Sequence, residues 1–410
     1  MSVSRYRIID LFAGCGGLSH GFQRTRRFGT DFAVELVNHA ASTFAANITR
    51  VDGTPSAVHA GDIEELTASN RALRSHLRRT GVESAEIDVI AGGPPCQGFS
   101  RNGVRRYSDD TRRRRFYDDP RNHLYKSFLR FVELAEPRLV LIENVREFLN
   151  FGHGKFTEDL LAKLDELGYD AQYRKLCAAD FGVPQMRHRV FFVAKRKDIA
   201  GTVDHLFPEP SFGTDDEQLS ILGPRPYRTV RDAISDLPKP VWRHADSPQE
   251  YEGTGRLGEY AKQMRSSSGL VHNHVARKLS TKSAERIRSV GTGRMRDIAP
   301  ELRTKMFYGS AYRRLSWDIP ALTITTWVYH VGSGAFAHPD EVRGITMREA
   351  ARLQSFDDDF IFPPLINPVS QMIGNAVPPL MAEAFGERFA RVLDANAKER
   401  LKQSRRATAV

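Results

Sequence analysis

A chain of 410 residues, 40% hydrophobic and 27% charged, has the composition of a soluble globular protein and the length for a large domain plus a smaller one, each with its own core. No apolar run approaches the roughly 18 residues of a membrane span, the N-terminal MSVSRYRIIDLF enters a strand-like run without a signal-peptide pattern, and the chain is expected to stay in the cytosol. The formal net charge of +10 points to a polyanionic partner, and the three cysteines, with no CxxC spacing, argue against a disulfide framework or a zinc cluster.

The basic charge is localised. From Arg225 to Arg314 there are nineteen Lys and Arg against nine Asp and Glu, an excess equal to that of the whole chain.

Along the chain, RIIDLF, DFAVELV, EIDVIAG, RLVLIEN and RVFFVAK read as strands. Between them HLYKSFLRFVELA places Leu124, Phe128, Phe131 and Val132 at helical spacing, and FTEDLLAKLDELG reads as a helix opened by Thr157 and stopped by Gly168. Residues 1–195 therefore predict a doubly wound α/β domain with a mostly parallel sheet. Pro, Gly and Ser punctuation over 196–312 predicts a smaller, irregular second domain facing the first across a basic cleft. Helical patterns in MREAARLQSF and NAVPPLMAEAFGERFARVL predict that 313–396 return to the first domain, with 397–410 a charged tail left unstructured.

The chemistry-bearing residues cluster at strand ends. Asp10-Leu-Phe-Ala-Gly-Cys-Gly-Gly17 follows the first strand, and Gly14, Gly16 and Gly17 allow a tight turn with close approach of a ligand. Glu35 after the second strand suits the two hydroxyls of a ribose, and Asp62 in Gly61-Asp62-Ile63 suits an adenine amino group, although either reads equally as a solvated acid. With no GxxxxGK[ST] pattern, these describe an adenosyl cleft rather than a phosphate site. Gly92-Gly-Pro-Pro-Cys-Gln-Gly-Phe-Ser100 presents Cys96 on a rigid turn at the carboxyl end of a strand, where a thiolate acts as a nucleophile if its pKa is lowered. Cys15 and Cys177 read as packing residues.

GGPPCQGFS, DLFAGCGG, Leu141-Ile-Glu-Asn-Val145, Gln185-Met-Arg-His-Arg189 and Gln371-Met-Ile-Gly-Asn-Ala-Val377 resemble the ordered motif set of the bacterial cytosine-5 DNA methyltransferases. The resemblance implies the S-adenosylmethionine-dependent methyltransferase fold and S-adenosyl-L-methionine as cofactor. It implies Phe12 against the adenine, Glu35 on the ribose, and Asp62 and Ile63 at the adenine edge. Gly14, Gly16, Gly17, Pro95, Leu124, Asn375 and Ala376 complete the implied cofactor set. The implied partner is double-stranded DNA, with a cognate restriction endonuclease or as a solitary, nucleoid-associated methylase, acting as a monomer.

The residue types make chemical sense. C5 of cytosine is a poor nucleophile until a thiolate adds at C6, which is the role expected of Cys96. Glu143 would meet the charge developing at N3 and the exocyclic amine, the competing reading being a helix-capping acid. Arg189, and with it Arg187, would add fixed positive charge near O2 and the nucleophile. The target base must leave the helix to reach such a site. Residues 101–121 carry eight arginines and four aspartates, longer than the loop usual in the family. Ser100, Arg101 and the run Arg112, Arg113, Arg114 and Arg115 are expected to contact DNA there. Residues 196–312 stand where the family has its target-recognition domain, and His272 and His274 within them read as surface histidines rather than metal ligands. Two alternatives are an RNA cytosine-5 methyltransferase of the same fold and a catalytically silent DNA-binding regulator.

Overall fold

The computed structural model describes residues 5–82, 87–95, 124–214, 223–242, 248–252, 257–304 and 309–408. They form two compact units. The first comprises Met1–Leu176, His188–Glu209 and Met381–Val410, and the second Cys177–Arg187 and Pro210–Leu380.

The first unit is built on a seven-stranded sheet of order β3-β2-β1-β4-β5-β8-β6. Its strands are β1 (Tyr6–Leu11), β2 (Phe28–Glu35), β3 (Ala57–Ala60), β4 (Val89–Gly92), β5 (Leu139–Asn144), β6 (Tyr169–Cys177) and β8 (His188–Arg196). Strands β3 to β5 in this order run parallel, whereas β8 pairs antiparallel with β5. The chain winds outward from β1 through β2 to β3, then restarts at β4 on the other side. The point of reversal between β1 and β4 opens a crevice at their carboxyl ends, and there the glycine-rich turn and the GGPP turn lie.

Helices α1 (Gly17–Arg24), α2 (Asn38–Asn47), α3 (Ile63–Thr67), α4 (Asn70–Arg79), α5 (Leu124–Ala135) and α6 (Lys155–Glu166) connect the strands. Phe128, Phe131 and Val132 of α5 and Leu160 and Leu164 of α6 are buried in one core with Phe32, Ile90, Val140 and Phe192 of the sheet. The C-terminal helix lays Met381, Phe385, Phe389 and Leu393, four residues apart and fully buried, along another stripe, with Phe389 edge-on to Phe22 and Phe385 against Phe191.

The five strands expected from apolar runs are present. β3 and β6 escape that reading because AVHA is short and YDAQYRKLC alternates half-exposed positions at the sheet's edges. Helix α6 opens at Gly154 rather than Thr157, which is buried one turn inside it.

In the second unit, α7 (Val230–Ile234), α8 (Glu259–Met264), α9 (Thr281–Val290), α10 (Met347–Leu353) and α11 (Ile366–Asn375) are joined by loops and two-residue strand pairs. One of these pairs joins β7 (Gln185–Met186) in parallel to β9 (Ala321–Leu322). Of residues 313–396, expected to return to the first domain, 381–396 do so and 313–380 instead stay in this unit. A buried ionic network holds them there. Arg352 of α10 pairs with Asp358 and Asp236, and Arg348 donates to the carbonyl of His272. Thr346 and Glu349 cap α10 reciprocally, and Arg343 pairs with Glu349. Burial alone would raise the Glu349 carboxyl, but the bonds and charge of Arg343 outweigh it and hold it at about 2.

His274 corrects the surface reading. It is 1% exposed, and its ring nitrogens meet Thr346 Oγ1 and the Pro238 carbonyl. The last helix, α12 (Pro379–Thr408), runs through the segment expected to be an unstructured tail. DANAKERLKQSRRAT is rich in Ala, Lys, Glu, Arg and Leu, all strong helix formers, so propensity carries the helix past its last buried turn.

Candidate active site

The turn after β1 begins with Phe12 in the left-handed region, φ 56°, a conformation costly for a bulky residue and frequent at functional sites. Gly14 and Gly16 follow with φ 57° and 99°, and Gly16 caps α1 with Gly17 as its first residue. Glu35, the last residue of β2, accepts from the Gly14 N–H through Oε2 and from the Val37 N–H through Oε1, both at 2.8 Å. One carboxyl thus fastens the glycine turn to the β2 loop. Burial pushes the Glu35 pKa up despite the N–H bonds from Val37 and Gly14.

Beneath the turn, Asp10 accepts from Ser19 Oγ at 2.6 Å, and Ser19 in turn accepts from Thr30 Oγ1 at 2.9 Å. The other oxygen, Oδ1, is buried and has no hydrogen-bond partner among the described residues. Burial pushes Asp10 up to about 7, the Ser19 hydroxyl opposing and the Glu35 charge adding to the shift.

Asp62 caps α3 by accepting from the Glu64 N–H at 2.9 Å, and Ile63 is buried in the core. One Asp62 oxygen is thus engaged in capping α3. Leu36 and Val37, directly after Glu35, are large apolar residues left 66% and 52% exposed. The sequence reading passed over them because an apolar pair at a strand end looks like core. Leu124, the first residue of α5, packs partly buried against the main core.

The second cluster lies at the ends of β4, β5 and β8. Glu143 on β5 and Arg189 on β8 form an ion pair, Nε to Oε1 at 2.8 Å, with side chains only 12% and 16% exposed. The Arg189 guanidinium also donates to the His188 carbonyl at 2.8 Å. A Cβ placed on Gly93 would lie 3.1 Å from Glu143 Oε2, and Asn144 Nδ2 donates to the Pro94 carbonyl at 3.2 Å. The acid and its arginine thus sit directly beside the Gly93-Pro94-Pro95 turn that leads into Cys96. Cys96 itself, Ser100, Arg101, Arg112, Arg113, Arg114 and Arg115 lie outside the described residues.

The C-5 cytosine-specific DNA methylase family model matches residues 6–391. The chain belongs to this family. It is a DNA (cytosine-5)-methyltransferase. The Type II methyltransferase M1.HphI of Haemophilus parahaemolyticus is 36% identical over 92% of this chain and 85% of its own length. M.AgeI of Thalassovita gelatinovora is 34% identical over 93% and 98%. Among solved structures, a putative DNA modification methyltransferase encoded within a prophage of E. coli superposes with a TM-score of 0.71 at 26% identity, over 95% of this chain and 99% of that one. A Spodoptera frugiperda DNMT2 mutant, at 17% identity and TM-score 0.55, shares the fold.

In this methyltransferase the two arginines of the QMRHR motif have different surroundings. Arg187 belongs to the second unit and is 1% exposed. Its guanidinium donates to the carbonyls of Ile324, Gly374 and Ala376 at 3.0–3.1 Å, an arrangement that holds backbone. Gln185 lies in the same interior and donates to Gln354 and to the Leu353 carbonyl. Asn375 ends α11 with its side chain exposed, and the Ala376 carbonyl accepts from both Arg187 and Gln354. Cys15 and Cys177 are buried, and burial pushes both thiols up, Cys15 to about 12. Neither is available as a thiolate near neutral pH.

Proposed function

We propose that this enzyme methylates C5 of a cytosine extruded from double-stranded DNA, with S-adenosyl-L-methionine as donor and a transient bond from Cys96 to C6. The observation that carries the reading is the Glu143–Arg189 pair beside the turn that presents Cys96.

The residues at the β1 and β2 ends fit the cofactor. Among the described residues nothing stands within 4 Å of the position a side chain on Gly14 would take, leaving room above the turn. The exposed Leu36 and Val37 offer an apolar face beside Glu35, and Glu35 would hold the ribose with Asp62 and Ile63 at the adenine edge. When bound, S-adenosylmethionine supplies an electrophilic methyl group.

The protein's own part is to make C5 nucleophilic. The Cys96 thiolate forms a bond to C6, and the C5–C6 π pair shifts into the ring as N3 gains a proton. Glu143, held in place by Arg189, is the group to bridge N3 and the exocyclic amine, while Arg189 balances the negative charge in a site with little water. Once C5 carries the methyl group, loss of its proton restores the double bond and expels the thiolate.

Sequence choice is assigned to the second unit, because a pocket holding one flipped base does not read its neighbours. Support comes from the basic excess between Arg225 and Arg314. Beyond it, Trp327 is 59% exposed, stacked on Tyr329 at 5.7 Å, with Arg277 over the Tyr329 ring. An exposed aromatic pair backed by a cation suits nucleic acid, and it extends the recognition segment past Tyr312. The relatives named Type II methyltransferases support a role in restriction–modification.

The test is a duplex carrying 5-fluorocytosine at the methylated site, where fluorine does not leave as a proton does. Wild-type protein should yield a denaturant-resistant protein–DNA species, and Cys96→Ser should yield none while still binding cofactor. Absence of the species from active wild-type enzyme overturns the covalent mechanism.

A further inference from the structure

The loop that would meet the adenine edge, Gly61-Asp62-Ile63, rests on an imidazole. His59 on β3 points its ring under Gly61, and a Cβ built on Gly61 would fall 2.8 Å from Nε2 and 3.3 Å from Cε1. His59 Nε2 is buried with no hydrogen-bond partner among the described residues, so the ring serves here by its shape. It is backed edge-on by His76 of α4, with ring centroids 5.1 Å apart, and His76 lies against Phe32, which stacks on Phe131 in the core. A column of four rings therefore runs from the interior to the underside of Gly61.

Gly61 is the hinge between the two acids of the cofactor site. Its N–H donates to the Glu35 carbonyl at 3.1 Å, and its carboxyl-side neighbour is Asp62. Its φ lies outside the left-handed region. What a side chain at this position would meet is thus the imidazole, and not a backbone conformation closed to it.

We propose that His59 is a positioning residue for the adenosyl moiety, its ring fixing the height of Gly61 and with it the placing of Glu35 and Asp62. The proposal rests on the cofactor reading above and concerns binding alone, since His59 lies outside the Cys96, Glu143 and Arg189 set.

A double-mutant cycle tests it, read as the dissociation constant for S-adenosylhomocysteine by calorimetry. His59→Ala removes the support and Gly61→Ala drives a methyl group into the ring. Each should weaken binding by about tenfold, as expected for a displaced contact. In the double variant the new methyl group enters the space the ring has left, and affinity should recover to within about threefold of wild type. The KM for the methyl donor should rise in each single variant and return towards wild type in the double variant. Gly61→Ala keeps His59 and the ring column, so it reports even where His59→Ala does not fold. Singles that bind as wild type, or a double variant that loses the sum of both effects, overturn the proposal. A wild-type chain that does not bind S-adenosylhomocysteine overturns the cofactor reading and this proposal with it.

Discussion

Arg189 reaches from β8 to Glu143 on β5 across an antiparallel ladder, Nε to Oε1 at 2.8 Å. Alone in the six-strand stretch from β3 to β8 otherwise joined in parallel, this junction brings a strand end carrying a cation back to a strand end carrying an acid. Glu143→Gln keeps the shape and removes the charge. Its single-turnover methylation rate should fall by about 10²–10³, the scale of losing a preorganised charge or proton partner, with S-adenosylhomocysteine affinity unchanged. A fall of less than about tenfold would remove Glu143 from the chemistry. Arg189→Met leaves the carboxyl without its partner, so the single-turnover rate should fall on a similar scale.

Arg187, two residues earlier, should behave as a structural residue. Its three carbonyl acceptors are the backbone of Ile324, Gly374 and Ala376. Arg187→Met removes its bonds to all three, leaving only the Ala376 carbonyl with the Gln354 donor, and should destabilise the second unit by about 3–5 kcal/mol, read from denaturant unfolding. Arg187→Lys should recover little of this, because an ammonium does not reproduce the planar fork. An unchanged unfolding midpoint with lost activity would return Arg187 to the catalytic role that its motif implies.

Asp10 should make stability depend on pH. Its folded pKa of about 7 stands above the ordinary value near 3.9. The stability linked to its protonation is therefore fully present below about pH 4 and is lost as pH rises through about 7. Asp10→Asn is neutral throughout. For cofactor-free protein it should match wild type near pH 4 and exceed it by up to about 4 kcal/mol near pH 8. Parallel stability curves for the two proteins would show that Asp10 is not the group responsible.

The strand-and-turn motifs were legible in the sequence because their signals are local. Apolar runs ending in Asp10-Leu-Phe-Ala-Gly and Gly92-Gly-Pro-Pro announce buried strands that stop at tight turns, and an alternating βα order places those turns at one sheet edge. Family membership and the α/β fold followed from such segments, as did Glu143 and Arg189 as candidates, but their pairing did not.

What the sequence left open depended on partners far along the chain. Arg187 and Arg189 share one motif, and no pattern in QMRHR distinguishes them. Only the antiparallel entry of β8 beside β5 and the packing of residues 324–376 around Arg187 decide that one meets Glu143 and the other holds backbone carbonyls. Residues 313–380 have helical patterns like those of the first unit, yet buried pairs from Arg352 to Asp236 and from Arg348 to the His272 carbonyl bind them to the second. The same holds for His274, buried by Thr346, and for His59, whose use appears only once Gly61 lies against its ring. Periodicity and propensity are properties of neighbours in sequence. Which charge finds which, and which ring fills which gap, is settled by desolvation and close packing between segments that the chain order keeps apart.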